Sequence, residues 1–120
     1  MKQAEFKKAL KKFNEVFAYL LEHKITYPEI YRIYANKGVC HFALGEAARG
    51  KFMLEISAEL NSFYDFARQQ IERYKKDAFA QVEKTKKEED ITRDIGYQYC
   101  QFLKKFKINF NHPLKGPTNL

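Results

Sequence analysis

Cys40 and His41 stand side by side in the stretch NKGVCHFALGEAARGKFMLEIS, residues 36–57, and a thiol next to an imidazole could supply a nucleophile and its base. A cysteine nucleophile needs that base within hydrogen-bond reach of its sulfur. On a helix, consecutive side chains diverge by about 100° and do not face each other. A helical stretch therefore denies Cys40 and His41 each other's chemistry, and Cys40 reads as a small apolar packing residue. Cys100 is the second of only two cysteines, too few to define a disulfide framework, so free thiols in a reducing compartment are expected.

Other chemistries find even less to work with. His23, His41 and His112 are isolated, and the chain has no CxxC, HExxH or ExxH spacing, so neither a metal nor a cofactor is expected. The acidic run Glu88, Glu89, Asp90 sits in a charged turn. Gly45, Gly50 and Lys51 mimic the spacing of a phosphate-binding loop. Phe52 replaces the hydroxyl residue that loop requires, and helical patterns flank it where a strand should precede. No small-molecule substrate suggests itself.

Charge offers a different possibility. The net charge is +7 and the isoelectric point about 9.4. Lys7 with Lys11 and Lys8 with Lys12 form two rows on one side of the first helix, the members of each one helical turn apart, and Arg68, Arg73, Lys75 and Lys76 add a second basic group. Together they could meet the phosphates of RNA or DNA, or they could simply solvate a surface. The aromatic residues nearby fall on apolar seams, where a core claims them before a stacked base does.

These residues must be carried by helices. Only three prolines occur, two of them within the last eight residues. Phe6, Leu10, Phe13, Phe17 and Leu20 make a first amphipathic seam. Thr26 and Glu29 have capping-box spacing, Pro28 suits a first turn, and Gly45 suits a left-handed residue closing the second helix. A third seam runs Phe52, Ile56, Leu60, Phe63, Ala67, Ile71, Tyr74, Ala78, Val82 without changing phase. It favours one long helix over residues 46–87 rather than a break at Asn61. Asp90 is expected to cap a last helix whose stripe is Ile91, Ile95, Tyr99, Phe102 and Phe106. The expected fold is all-α: an antiparallel bundle of about four helices over residues 1–108, with 109–120 a loop or disordered tail from which Phe110 and Leu114 could tuck back.

The second and third segments resemble a tetratricopeptide repeat, a helical hairpin of about 34 residues with small residues where its helices cross. Tyr34, Gly38, the Gly45 turn in ALGE, Gly50, Leu54 and Ser57 fall at that family's spacing. Ala9, Phe13 and Val16 repeat the offsets of Gly50, Leu54 and Ser57, so the first helix resembles the second helix of a truncated preceding unit, and the match spans roughly residues 6–61. Lys37 stands where the family usually has Leu, and His41 where Tyr is common. The resemblance implies a scaffold that binds peptides or helices, with Tyr31, Tyr34, Asn36 and Lys37 exposed towards a partner. A single unit cannot bury its own face well, so a homo-oligomer is implied.

Residue patterns and resemblance together point to a non-enzymatic protein–protein interaction or assembly module that self-associates. Nucleic-acid binding through the lysine-rich faces is the alternative. No apolar run approaches a membrane span, and the N-terminal MKQAEFKKALKKF lacks a signal peptide's apolar centre, so a cytoplasmic protein is expected.

Overall fold

A computed structural model describes residues 2–84 and 91–111, with side chains described over 3–75 and 91–111. Among the described residues five α-helices occur in chain order: α1 (Lys2–Glu22), α2 (Ile30–Ala43), α3 (Ala47–Leu60), α4 (Asp65–Lys84) and α5 (Ile95–Lys105), the last preceded by a single 3-10 turn at Ile91–Arg93. No strand occurs among the described residues. The all-α expectation holds, with one helix more than expected.

The extra helix comes from a break in the third seam. Leu60 ends α3, and Asn61 adopts an extended backbone (φ −146°, ψ 100°). The Asn61 side-chain oxygen accepts from the Phe63 amide at 3.0 Å and its carbonyl from Tyr64 at 3.1 Å, a local turn that competes with helix continuation. The seam keeps phase across the break, and this concealed it. Phe63, expected in the core, is 49% exposed as a result.

Two helix starts also differ from expectation. The Thr26 capping box does not form: α2 begins at Ile30, and Glu29 makes no cap bond. Instead Tyr99 of α5 supplies a hydroxyl to the Tyr27 amide at 3.1 Å and donates to the Ile25 carbonyl at 2.6 Å. Asp94 caps α5, accepting from the Gly96 amide at 2.8 Å; Asp90 lies outside the described residues.

Three helices end in the same motif. After α2, Glu46 N–H reaches His41 O and Gly45 N–H reaches Phe42 O, with Gly45 at φ +81° as expected. Lys24 after α1 and Lys107 after α5 hold the equivalent left-handed position at φ 54° and 55°. There Ile25 bonds back to Leu20 and Ile108 to Leu103, each at 2.9 Å.

The scaffold is the α2–α3 hairpin, whose helices cross in backbone contact. A Cβ on Gly38 would lie 2.8 Å from Gly50 O, and one on Gly50 would lie 2.8 Å from Gly38 O. No larger residue fits without separating the helices. Ser57 fixes the register by donating to Tyr31 O at 2.7 Å. On one side of the hairpin, α1 and α5 close a core of Phe17, Leu20, Tyr34, Met53, Tyr99 and Leu103. On the other, α4 closes a smaller one around Phe42, Leu54 and Ala67, where the Phe42 and Tyr74 rings stack at 4.3 Å.

Candidate functional site

The resemblance placed Tyr31, Tyr34, Asn36 and Lys37 towards a partner; only Asn36 is exposed. Tyr31, Tyr34 and Lys37 have no accessible surface. They lie on the inner face of α2, with Tyr34 donating its hydroxyl to Gly96 O. Burial pushes the Tyr34 phenol well above its usual pKa.

Lys37 is the centre of a buried ionic cluster joining four helices. Its ammonium sits 2.8 Å from Asp94 Oδ1 at the head of α5, donates to the Asn14 side chain of α1, and lies over the Phe17 ring. Arg49 of α3 approaches Asp94 Oδ2 at 3.7 Å. Desolvation holds the Lys37 pKa below the ordinary lysine value, opposed by Asp94. With no accessible surface, this lysine serves as a clamp on the fold. Asn14, Arg49 and Asp94 were not singled out from the sequence; the available signal was a lone charge three residues past Tyr34 in an apolar stripe.

One turn along α2, His41 is 4% exposed. Its Nδ1 meets Glu46 Oε1 at 2.9 Å, so Glu46 engages this ring nitrogen and fixes the tautomer. Burial lowers the His41 pKa, opposed by Glu46. The Cys40 thiol is buried and its pKa raised, the opposite of what an activated thiolate requires. Cys40 and Cys100 are both free. Among the described residues, no three His, Cys, Asp or Glu side chains gather to hold a metal ion, and no helix is long and apolar enough to cross a membrane.

The basic residues separate. Lys7, Lys8, Lys11 and Lys12 are exposed on α1, and Arg68, Arg73 and Lys75 are exposed on α4. The α2–α3 hairpin stands between these helices, so the two groups do not form one surface. Arg68 is also held by Asp65 at 2.6 Å. The Lys76 side chain lies outside the described residues.

At one end of the bundle the structure exposes several large apolar side chains, two of which, Phe63 and Phe106, the sequence placed in seams. There the α1–α2 loop, the α3–α4 turn and the chain beyond α5 converge. Tyr99 ties the first to α5 as described, Phe110 N–H reaches Leu60 O at 2.7 Å, and the Ser62 amide donates to the Asn111 side chain. Phe110 thus tucks back against the core; Leu114 lies outside the described residues. Ile25 (39%), Tyr27 (39%), Phe63 (49%) and Phe106 (57%) all stand exposed on this end. The apolar periodicity of Phe63 and Phe106 is what a core also produces, so the sequence carried no signal that distinguished them.

Fold and site define an all-helical domain with a rigid glycine-crossed hairpin, a buried ionic clamp and an aromatic end. No protein-family model matches this chain, and neither does any curated protein or solved structure.

Proposed function

We propose that this chain is a non-enzymatic helical assembly module that makes protein–protein contacts, self-association first among them, through its aromatic end. The observation that carries this reading is the concentration of Ile25, Tyr27, Phe63 and Phe106 on three converging segments. Aromatic side chains that present large, stiff apolar area are favoured anchors of protein interfaces. The clamp at Lys37 and the knitted loops hold these anchors on a fixed frame, which lowers the ordering cost of docking.

The glycine crossing and the Ser57 contact also support reading α2–α3 as a tetratricopeptide-like unit, with α1 as the second helix of a partial preceding one. The partner-facing surface is then not the inner face of α2, which the chain fills with its own core.

Light scattering across a concentration series tests the proposal. The expected mass exceeds 14.3 kDa and rises with concentration, and Phe63→Ser with Phe106→Ser lowers it towards the monomer. A strictly monomeric chain whose mass ignores both substitutions refutes self-association.

A further inference from the structure

The chain beyond α5 leaves its own helix and seats on the α3–α4 turn. Phe110 N–H donates at 2.7 Å to the carbonyl of Leu60, the last residue of α3, and Asn111 Oδ1 accepts from the Ser62 amide. The Leu60 carbonyl is a helix-end group with no intrahelical partner of its own. Asn109 Oδ1 accepts from the Asn111 amide at 3.1 Å and so shapes the segment over the turn. Ile108 and Phe110 pack half-buried against the larger core. Residues 108–111 are therefore a strap, and the α3–α4 turn is a seat that holds it by backbone and side chain alike.

One residue joins the strap to α5. Lys107 holds φ 55°, a left-handed conformation that strains a residue other than glycine. Straightening it relieves that strain and gives up the Ile108 N–H bond to Leu103 O at 2.9 Å, two changes of opposite sign. The contacts of the seat are the same whichever copy supplies the strap. A closed chain and an exchanged pair then differ in the tether, which favours closure, and in what the two bodies touch on exchange. Chain length dictates that contact. Phe106 precedes Phe110 by four residues, which span at most about 14 Å when extended. A strap seated on another copy holds the end of one α5 within that reach of the other copy's α3–α4 turn. Phe106 and Phe63, 57% and 49% exposed in the closed chain, then face their counterparts.

We infer that two copies of this chain associate by exchanging straps, with residues 108–111 of each seated on the α3–α4 turn of the other about a two-fold axis. The inference rests on the assembly reading and deepens it: the partner is a second copy, and the contact is reciprocal. Exchange conserves every bond of the seat and adds the aromatic contact, so the dimer grows with concentration against a closed monomer.

Disulfide trapping on the full chain tests this. Ser62 and Asn111 are exposed and lie across one hydrogen bond of the seat, whereas Cys40 and Cys100 are buried. A Ser62→Cys chain and an Asn111→Cys chain of different tagged mass are mixed in a thiol–disulfide buffer, alkylated and separated without reductant. The disulfide joining the two different chains is expected to exceed either same-variant pair and to rise with concentration. In one chain carrying both substitutions, the disulfide passes from intrachain when dilute to interchain when concentrated. Lys107→Pro, whose ring cannot adopt φ 55°, is expected to tighten the dimer, and Lys107→Gly, which holds that angle without strain, to weaken it. The two variants should differ by about tenfold or more in dimer dissociation constant, with circular dichroism verifying that both keep their helices. Exchange is overturned if the mixed disulfide does not exceed the same-variant pairs, or if neither hinge variant moves the balance. It is overturned equally if the doubly substituted chain closes only on itself at concentrations where light scattering finds a dimer. Each of those results leaves a face-to-face contact of the aromatic ends standing, while a chain that is monomeric at every concentration overturns both.

Discussion

Replacing Lys37 with methionine removes the ammonium but keeps most of the side chain's volume. Asp94 is then left with its side chain 4% exposed and with Arg49 at 3.7 Å, too far for a close ion pair. At an effective dielectric constant of about 20, the 2.8 Å Lys37–Asp94 pair is worth about 6 kcal/mol of Coulomb energy, most of which desolvation cancels. The pair's net contribution is therefore small, yet breaking it strands a buried carboxylate at a cost of about 3–5 kcal/mol. Asp94→Asn added to Lys37→Met removes that stranded charge and keeps an oxygen to cap Gly96. The double variant is expected to fall within about 1–2 kcal/mol of the parent chain, because well-packed apolar replacements of buried pairs are tolerated. Urea denaturation of the parent, both single variants and the double closes the cycle. The reasoning is refuted if Lys37→Met alone costs under about 0.5 kcal/mol, the range of an ordinary surface substitution. It is refuted equally if the two single losses simply add, since residues in one buried network must couple.

Three further outcomes follow from the same contacts. Gly38→Ala places a Cβ 2.8 Å from both Gly50 O and Leu54 Cγ; overpacking of about 1–3 kcal/mol should outweigh the roughly 1 kcal/mol gain in helix propensity, read as a lower denaturation midpoint. Lys24→Gly and Lys107→Gly, at φ 54° and 55°, should each stabilise by about 1 kcal/mol, because only glycine occupies the left-handed region without strain. An unchanged or lowered melting temperature in both would contradict that backbone geometry. His41 has a folded-state pKa below its unfolded value, so the unfolded chain binds the proton first. Its share of stability is whole above the unfolded pKa of about 6.5 and is lost as pH falls towards the depressed folded value. His41→Gln should flatten that part of the stability profile, and a profile identical to that of the parent would show the ring to be solvated.

Much of this architecture was legible in the sequence, for reasons that particular residues make plain. Gly45 announced the end of α2 because few residues other than glycine tolerate φ +81°. Gly38 and Gly50 announced a close helix crossing because a missing Cβ matters most there. The seam of α1 was readable because Leu10, Phe17 and Leu20 bury one face of a regular helix. Other features depend on partners remote in sequence. The start of α2 answers to a hydroxyl on Tyr99, and Lys37 is buried because Asp94 waits for it from α5. Asn61 breaks the third segment through its own side chain, but the apolar phase on either side masks the break. Phe63 and Phe106 carry the periodicity of core residues and lie where the bundle ends, a fact only the packed helices supply.

The most direct test of the assembly reading is a dilution series followed by heteronuclear NMR on the full chain. Self-association through the aromatic end predicts concentration-dependent shifts at residues 24–27, 61–64 and 104–111, abolished by Phe63→Ser with Phe106→Ser. Spectra that stay constant on dilution, or shifts confined to the outer face of α4, would contradict it.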